Sequence, residues 1–295
     1  MGGGSWTADS FVSYSTSKGR TTSKSATTGT VVLDSLYTNQ DIFKQKQVHK
    51  TLSPKGNIMR ECRDTEEHPN TVPVILALDV TGSMGSAATE VARQLSTIME
   101  QLYKEVPDVE FLVMGIGDLY CDRGPIQISQ FESDIRIAEH LDNIWFEFGG
   151  GGNFWESYTA AWYMASRHCD LDCWKRGKKG IIITMGDERL NPVLQKEPLN
   201  FLTDDSNQAD IKTEDLYEEV TSKYDVFHID VTHRHSINSI KYNAVAIRES
   251  FGLLGERFKE ANIDEIPKTI TEIIKSCAAE RQTTLQSTAN DKISW

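Results

Sequence analysis

The sequence predicts an α/β protein: a doubly wound, mostly parallel open sheet flanked by helices, carrying an extended polar N-terminal arm. Three observations support this. Residues 74–79 and 181–185 are unbroken apolar runs, as expected of parallel strands buried on both faces. Between such runs, apolar residues recur every three or four positions, which is the helical period. The first thirty residues are dominated by Gly, Ser and Thr with almost no apolar periodicity, too little to offset the entropy of ordering them.

In chain order, residues 1–70 make the arm, predicted to be disordered alone or extended on a partner. Within it only 31–38 reads as a short strand or helical turn, and 39–72 is polar and charged, ending at Pro69 and Pro73. The folded domain is placed at 71–280. After strand 74–79, the residues Met84, Ala88, Val91, Leu95, Ile98 and Leu102 lie on one face of a single amphipathic helix. Strands follow at 109–116 and 126–131, then a helix at 134–145 with Ile137, Leu141 and Ile144 on one side. Beyond a glycine run, Trp155, Tyr158, Trp162 and Ala165 mark the next helix, with most of these aromatics assigned to the core. Strand 181–185, a polar stretch at 190–212, a helix at 214–223 and a strand at 225–231 come next. Ile266, Ile270, Ile273 and Cys277 set a last helix, and 281–295 reads as a polar tail. Alternating strands and helices of this kind wind into an open sheet.

Composition removes several classes of function. Lys and Arg number 31 against 43 Asp and Glu, a net charge of −12, so non-specific binding to nucleic acid is disfavoured. No apolar run is long enough to span a membrane. The N-terminus lacks the basic and apolar regions of a signal peptide, and Trp6 stands where myristoylation needs Ser or Thr. Five scattered cysteines argue for a reducing cytoplasm. Cys169 and Cys173 fit neither C-x-x-C nor a zinc knuckle and are read as helix-end residues.

The chemistry concentrates where strand 74–79 ends. Asp79, Thr81 and Ser83 occupy alternate positions of one tight loop, so their oxygens can face a common centre. One carboxylate and two hydroxyls suit a hard cation such as Mg2+ far better than zinc or copper. Mn2+ and Ca2+ are not separated from Mg2+ by this set. A helix cap alone would account for Ser83 but would require neither Asp79 nor Thr81. The D-x-T/S-x-S pattern at a strand end resembles the metal-ion-dependent adhesion site of von Willebrand factor A (vWA) domains. The resemblance covers roughly residues 72–280 and implies a Rossmann-like vWA fold.

The vWA pattern expects a threonine in a second metal loop and an aspartate in a third. The second loop here is glycine-rich at 149–152 and carries Asn153, Glu156 and Ser157, with no threonine before Thr159. Asn153, Glu156, Ser157 and a water all remain open for the missing position. In the third loop the acid comes as Asp187, two residues later than in the usual Thr-Asp-Gly. These departures set the chain apart from vertebrate adhesion domains and nearer to intracellular bacterial and phage vWA proteins. If Asp79 and Asp187 are the only carboxylate ligands, they just cancel a divalent ion, which can then accept an acidic oxygen from outside; adding Glu156 would weaken that attraction. Phe154 and Trp155 flank the glycines as candidate partner anchors. The glycine run is not followed by the Lys-Ser/Thr of a phosphate loop. His233 and His235 read as solvated loop residues, and Asp122, Glu132 and Asp134 as an acidic rim.

The function implied is a cytoplasmic, metal-dependent protein–protein interaction module. A bound Mg2+ would bridge to an acidic residue of a protein partner. Relatives implied by the resemblance work beside AAA+ ATPases or in bacterial stress and phage-conflict systems. The arm would add a second attachment in a homo-oligomer or larger assembly. The alternative is a Mg2+-dependent hydrolase of phosphate esters using Asp79, Asp118, Glu156, Asp187 and Glu188. It is opposed by the lack of basic residues, other than Arg189, in these loops.

Overall fold

A computed structural model describes residues 4–56, 58–147, 155–232 and 237–290. Its central sheet has six strands: β1 (Val72–Asp79), β2 (Val109–Ile116), β3 (Ile126–Ile128), β4 (Gly180–Gly186), β5 (Tyr224–Val231) and β6 (Phe258–Ala261). They lie in the order β3-β2-β1-β4-β5-β6. All neighbours are parallel except β3, which runs antiparallel to β2. The order reverses between β1 and β4. At that point the chain leaves adjacent strands in opposite directions and opens a crevice beyond their carboxyl ends.

Helices cover both faces of the sheet, which is why β2 and β4 are buried along their whole length and β1 from Pro73 onward. Val74, Leu76 and Leu78 point into one apolar layer with α2 (Gly85–Arg93), α3 (Leu95–Tyr103), α4 (Arg136–Asp142) and the start of α9 (Ile266–Asn290). Ile75 and Ala77 point into the other, with α5 (Thr159–Arg167), α6 (Lys196–Thr203), α7 (Thr213–Thr221) and Ile247 of α8 (Ile237–Ser250). Strand side chains alternate between faces, so Asp79 falls on the second face, with Ile75 and Ala77.

The arm departs most from expectation. It is folded onto the first helix layer, with α1 (Ala8–Ser17) and a small hairpin pairing Thr22–Lys24 with Val31–Leu33. Trp6, Phe11, Leu33, Ile42, Phe43 and Leu52 are buried in the same core cluster as β1. Its apolar residues are few but large. Its polar ones are spent on the domain: the Trp6 Nε1–H donates to Ser96 Oγ at 3.2 Å, and Thr30 and Thr97 share a hydroxyl hydrogen bond of 2.6 Å. No boundary therefore separates 1–70 from the domain in packing.

Smaller differences follow the same logic of burial. The helix expected through 84–102 is divided at Gln94 into α2 and α3, and all six residues assigned to its buried face are buried. The polar stretch 190–212 contains α6, ordered because Leu194 and Leu199 reach the second layer. Cys169 opens a short strand, Cys169–Leu171, parallel to Arg60–Cys62, so it is not a helix-end residue. Helix α9 continues to Asn290, through most of the expected tail. Among the described residues, no helix is long and apolar enough to cross a membrane.

Candidate cation site at the carboxyl edge of the sheet

Asp79 closes β1, fully buried at the point where the strand order reverses. Its Oδ1 accepts the Thr81 backbone N–H at 2.8 Å and the Thr81 hydroxyl at 2.6 Å. This fold-back is the Asx-type turn expected of an aspartate two residues before a hydroxyl. A single 3-10 turn, Gly82–Met84, then carries the chain into α2. Ser83 sits in that turn, its Oγ 3.3 Å from the Thr81 hydroxyl and donating to Asp187 Oδ1 at 3.0 Å. Asp187 directly follows β4. Asp79, Thr81, Ser83 and Asp187, four of the residues chosen from sequence, thus form one hydrogen-bonded chain across the crevice.

Tyr158 completes the set, although its position in the sequence suggests only core. It is buried, and its hydroxyl donates to Asp79 Oδ2 at 3.0 Å. It stands in the second loop, one residue before Thr159, where the vWA pattern wants a hydroxyl; that coincidence was its only sequence signal. Gly186 makes the approach feasible. A Cβ there would lie 1.8 Å from the Tyr158 hydroxyl, so any side chain would drive the ring away. Edge-on contact with the His228 ring, at 4.9 Å between centroids, holds the other side of Tyr158. His228 itself stacks on Phe251 at 3.8 Å and hydrogen-bonds Thr184 Oγ1 at 2.9 Å.

Glu156 is nearly fully buried and shares none of the hydrogen bonds that join the other four acid and hydroxyl groups; its Oε2 has no partner. Its backbone pairs with Leu190 beside the site. Ser157 is committed elsewhere, its Oγ accepting the Leu119 N–H at 3.1 Å and so tying down the loop after β2. Trp155 is half-buried, with the Arg189 guanidinium 5.6 Å from its ring centre. Asn153, Phe154, the glycines at 149–152, His233 and His235 lie outside the described residues.

The electrostatics are those of acids forced together in a dry place. Burial first, and then the charge of Asp187, push the Asp79 carboxyl well above its ordinary range, against the hydrogen bonds from Thr81 and Tyr158. Burial raises Glu156 further, followed by the charges of Asp79, Asp122, Asp118 and Glu188. Glu188 is raised by burial and by Asp187, with Arg189 opposing. The Tyr158 phenol is pushed far up by burial and by Asp79, so it remains a hydrogen-bond donor at any working pH. Among the described residues, no group of three or more His, Cys, Asp or Glu side chains is placed to hold a metal ion. The converging set here is instead two carboxylates and two hydroxyls.

No protein-family model and no curated protein matches this sequence. Among solved structures, the chain is similar to the pilus adhesin SpaC from Lactobacillus rhamnosus GG, at 13% identity and a TM-score of 0.43, over 75% of this chain and 31% of that one. It is also similar to proximal thread matrix protein 1 from the mussel byssus, at 10% identity and a TM-score of 0.43, over 70% of this chain and 48% of that one. The chain thus spans less than half the length of either protein.

Proposed function

We propose that this chain is a vWA-like interaction module. A hard divalent cation, Mg2+ or in its place Mn2+ or Ca2+, sits among Asp79, Thr81, Ser83 and Asp187 and bridges to a carboxylate of a protein partner. The observation that carries this reading is the hydrogen-bonded convergence of those four side chains at the sheet's switch point, where open α/β sheets bind ligands. All the donors are hard oxygens, and the two aspartates match a divalent charge. The mutual repulsion that raises Asp79 and Glu156 is what a bound cation relieves. When bound, such an ion supplies an open coordination position for an outside oxygen. The protein's own groups orient it: Thr81 and Tyr158 fix both oxygens of Asp79, and Ser83 fixes Asp187.

Glu156 belongs to the site as a neighbouring charge that sets how strongly the face attracts an acidic partner. Phosphoester hydrolysis finds less support, since Arg189 is engaged with Trp155 and Glu188 rather than free to grip a phosphate. A cytoplasmic setting agrees with five free cysteines, four of them buried. The test is calorimetric titration with Mg2+, followed by capture from native lysate in Mg2+ and in chelator, using wild type and Asp79→Ala. A partner captured only by wild type with Mg2+ is expected. A captured set indifferent to both changes would overturn the bridging role.

A further inference from the structure

A second surface feature lies beside this site and has the opposite charge. A groove of ≈510 Å³ runs between the 40–46 segment and the loops around 123 and 145–147, lined by Gln40, Lys44, Lys46, Arg123, Trp145 and Glu147. Three cations face one carboxylate, on a chain whose net charge is −12. The carboxylate is turned inward: Glu147 is 8% exposed, and its oxygens accept the backbone N–H groups of Arg123 and Gly124 at 2.8 and 2.7 Å. Arg123 is outermost at 76% exposure, with its guanidinium 5.0 Å from the Trp145 ring centre. Lys44 and Lys46 are exposed and form no ion pair among the described residues, although Lys44 acts electrostatically on Asp41. Phe43, Phe146 and Trp145 are buried beneath, so the groove offers charge and no free aromatic face for stacking a base.

Its position connects it to the cation site. Arg123 follows Asp122, whose carboxylate accepts the Asp118 N–H and whose charge acts on Glu156. Gln40 follows Asn39, whose side chain fills the space a Cβ on Gly85 would take, two residues past Ser83.

We propose that this groove docks an acidic, extended peptide segment of the partner protein, alongside the residue that meets the Asp79 site. The inference rests on the preceding reading only for the idea that this edge faces a partner. Charge complementarity selects the occupant: exposed lysines and an arginine on an acidic protein repel basic and attract acidic chains.

The test is fluorescence anisotropy of a labelled oligo-glutamate peptide with the full chain, in chelator, at low and at physiological salt. Wild type is expected to bind, more weakly as salt rises. Lys44→Glu/Lys46→Glu, both exposed and folded by circular dichroism, is expected to weaken binding about tenfold; Arg123→Gln should weaken it less. No binding by wild type, equal binding by the double variant, equal binding of oligo-lysine, or tighter binding of a nucleoside triphosphate would each overturn the proposal. Chelator removes the bridging ion from this measurement, and a Mg2+ titration of the double variant reads the Asp79 site alone. Failure of the groove and failure of the cation reading are therefore distinguishable.

Discussion

Tyr158 is the residue on which the geometry of the site turns, because it holds the one oxygen of Asp79 that Thr81 does not. Replacing it by Phe leaves a buried carboxylate oxygen without a donor, at a cost of about 1–3 kcal/mol. Gly186→Ala should cost at least as much, since its methyl would fall on the phenol oxygen and displace a ring packed between His228 and Phe251. Urea unfolding in chelator checks both, and both variants should also bind Mg2+ more weakly. A Gly186→Ala protein with unchanged stability would mean that Tyr158 does not need its place. Asp79, Thr81 and Ser83 were legible in the sequence because their turn is local, each within four residues of the strand end. Tyr158 was not, because its role depends on a contact across 79 positions that helical periodicity disguises as core.

At the scale of elements, β1, β2, β4 and β5 could be read nearly to their ends, since strands buried on both faces leave unbroken apolar runs. The N-terminal segment could not, because it is anchored by single large side chains and one buried ion pair instead of a repeating pattern. Arg20 binds both oxygens of Asp142 on α4 at 2.9 Å, with side-chain exposures of 7% and 10%, and also donates to the Ile42 carbonyl. Tyr14 donates to the same carboxylate at 2.8 Å. Burial raises Asp142 in spite of Arg20, so desolvation outweighs the attraction and the pair serves to position α1 more than to stabilise it. Arg20→Ala should therefore cost about 3–5 kcal/mol by stranding Asp142. Replacing all three partners by Arg20→Met, Asp142→Leu and Tyr14→Phe should cost much less. Denaturant midpoints of the two proteins decide; equal losses would show that the pair contributes net stability. The same anchoring predicts that removing residues 1–30 destabilises the domain, since it strips Trp6 and Phe11 from the core.

For the whole molecule, the strand order decides where the charge collects. Only the reversal between β1 and β4 places Asp79 and Asp187 side by side, and the sequence contains each acid without stating that their strands are neighbours. The parallel pairing of Leu78 with Met185 brings the two strand ends level. The fold thus concentrates like charges at one edge, and its stability should depend on what neutralises them. An acid whose pKa is raised on folding contributes stability that is full at low pH and lost as pH rises through the raised value. Asp79 is such a group, so in chelator the protein should weaken as pH rises past the ordinary carboxylate range. Asp79→Asn removes that charge and keeps the hydrogen bonds, since its amide oxygen can accept from Thr81 and its amide N–H can donate to the Tyr158 oxygen. In chelator at mildly alkaline pH, the Asn variant should melt a few degrees above wild type, an advantage that shrinks on acidification. Saturating Mg2+ binds only the folded state and should reverse the ranking by raising wild type alone. Melting curves of both proteins over pH, with and without Mg2+, test the charge and the cation together. If Mg2+ raises both proteins equally, the ion binds elsewhere; if Asp79→Asn melts lower in chelator at every pH, the buried carboxylate is stabilised by its neighbours and needs no cation.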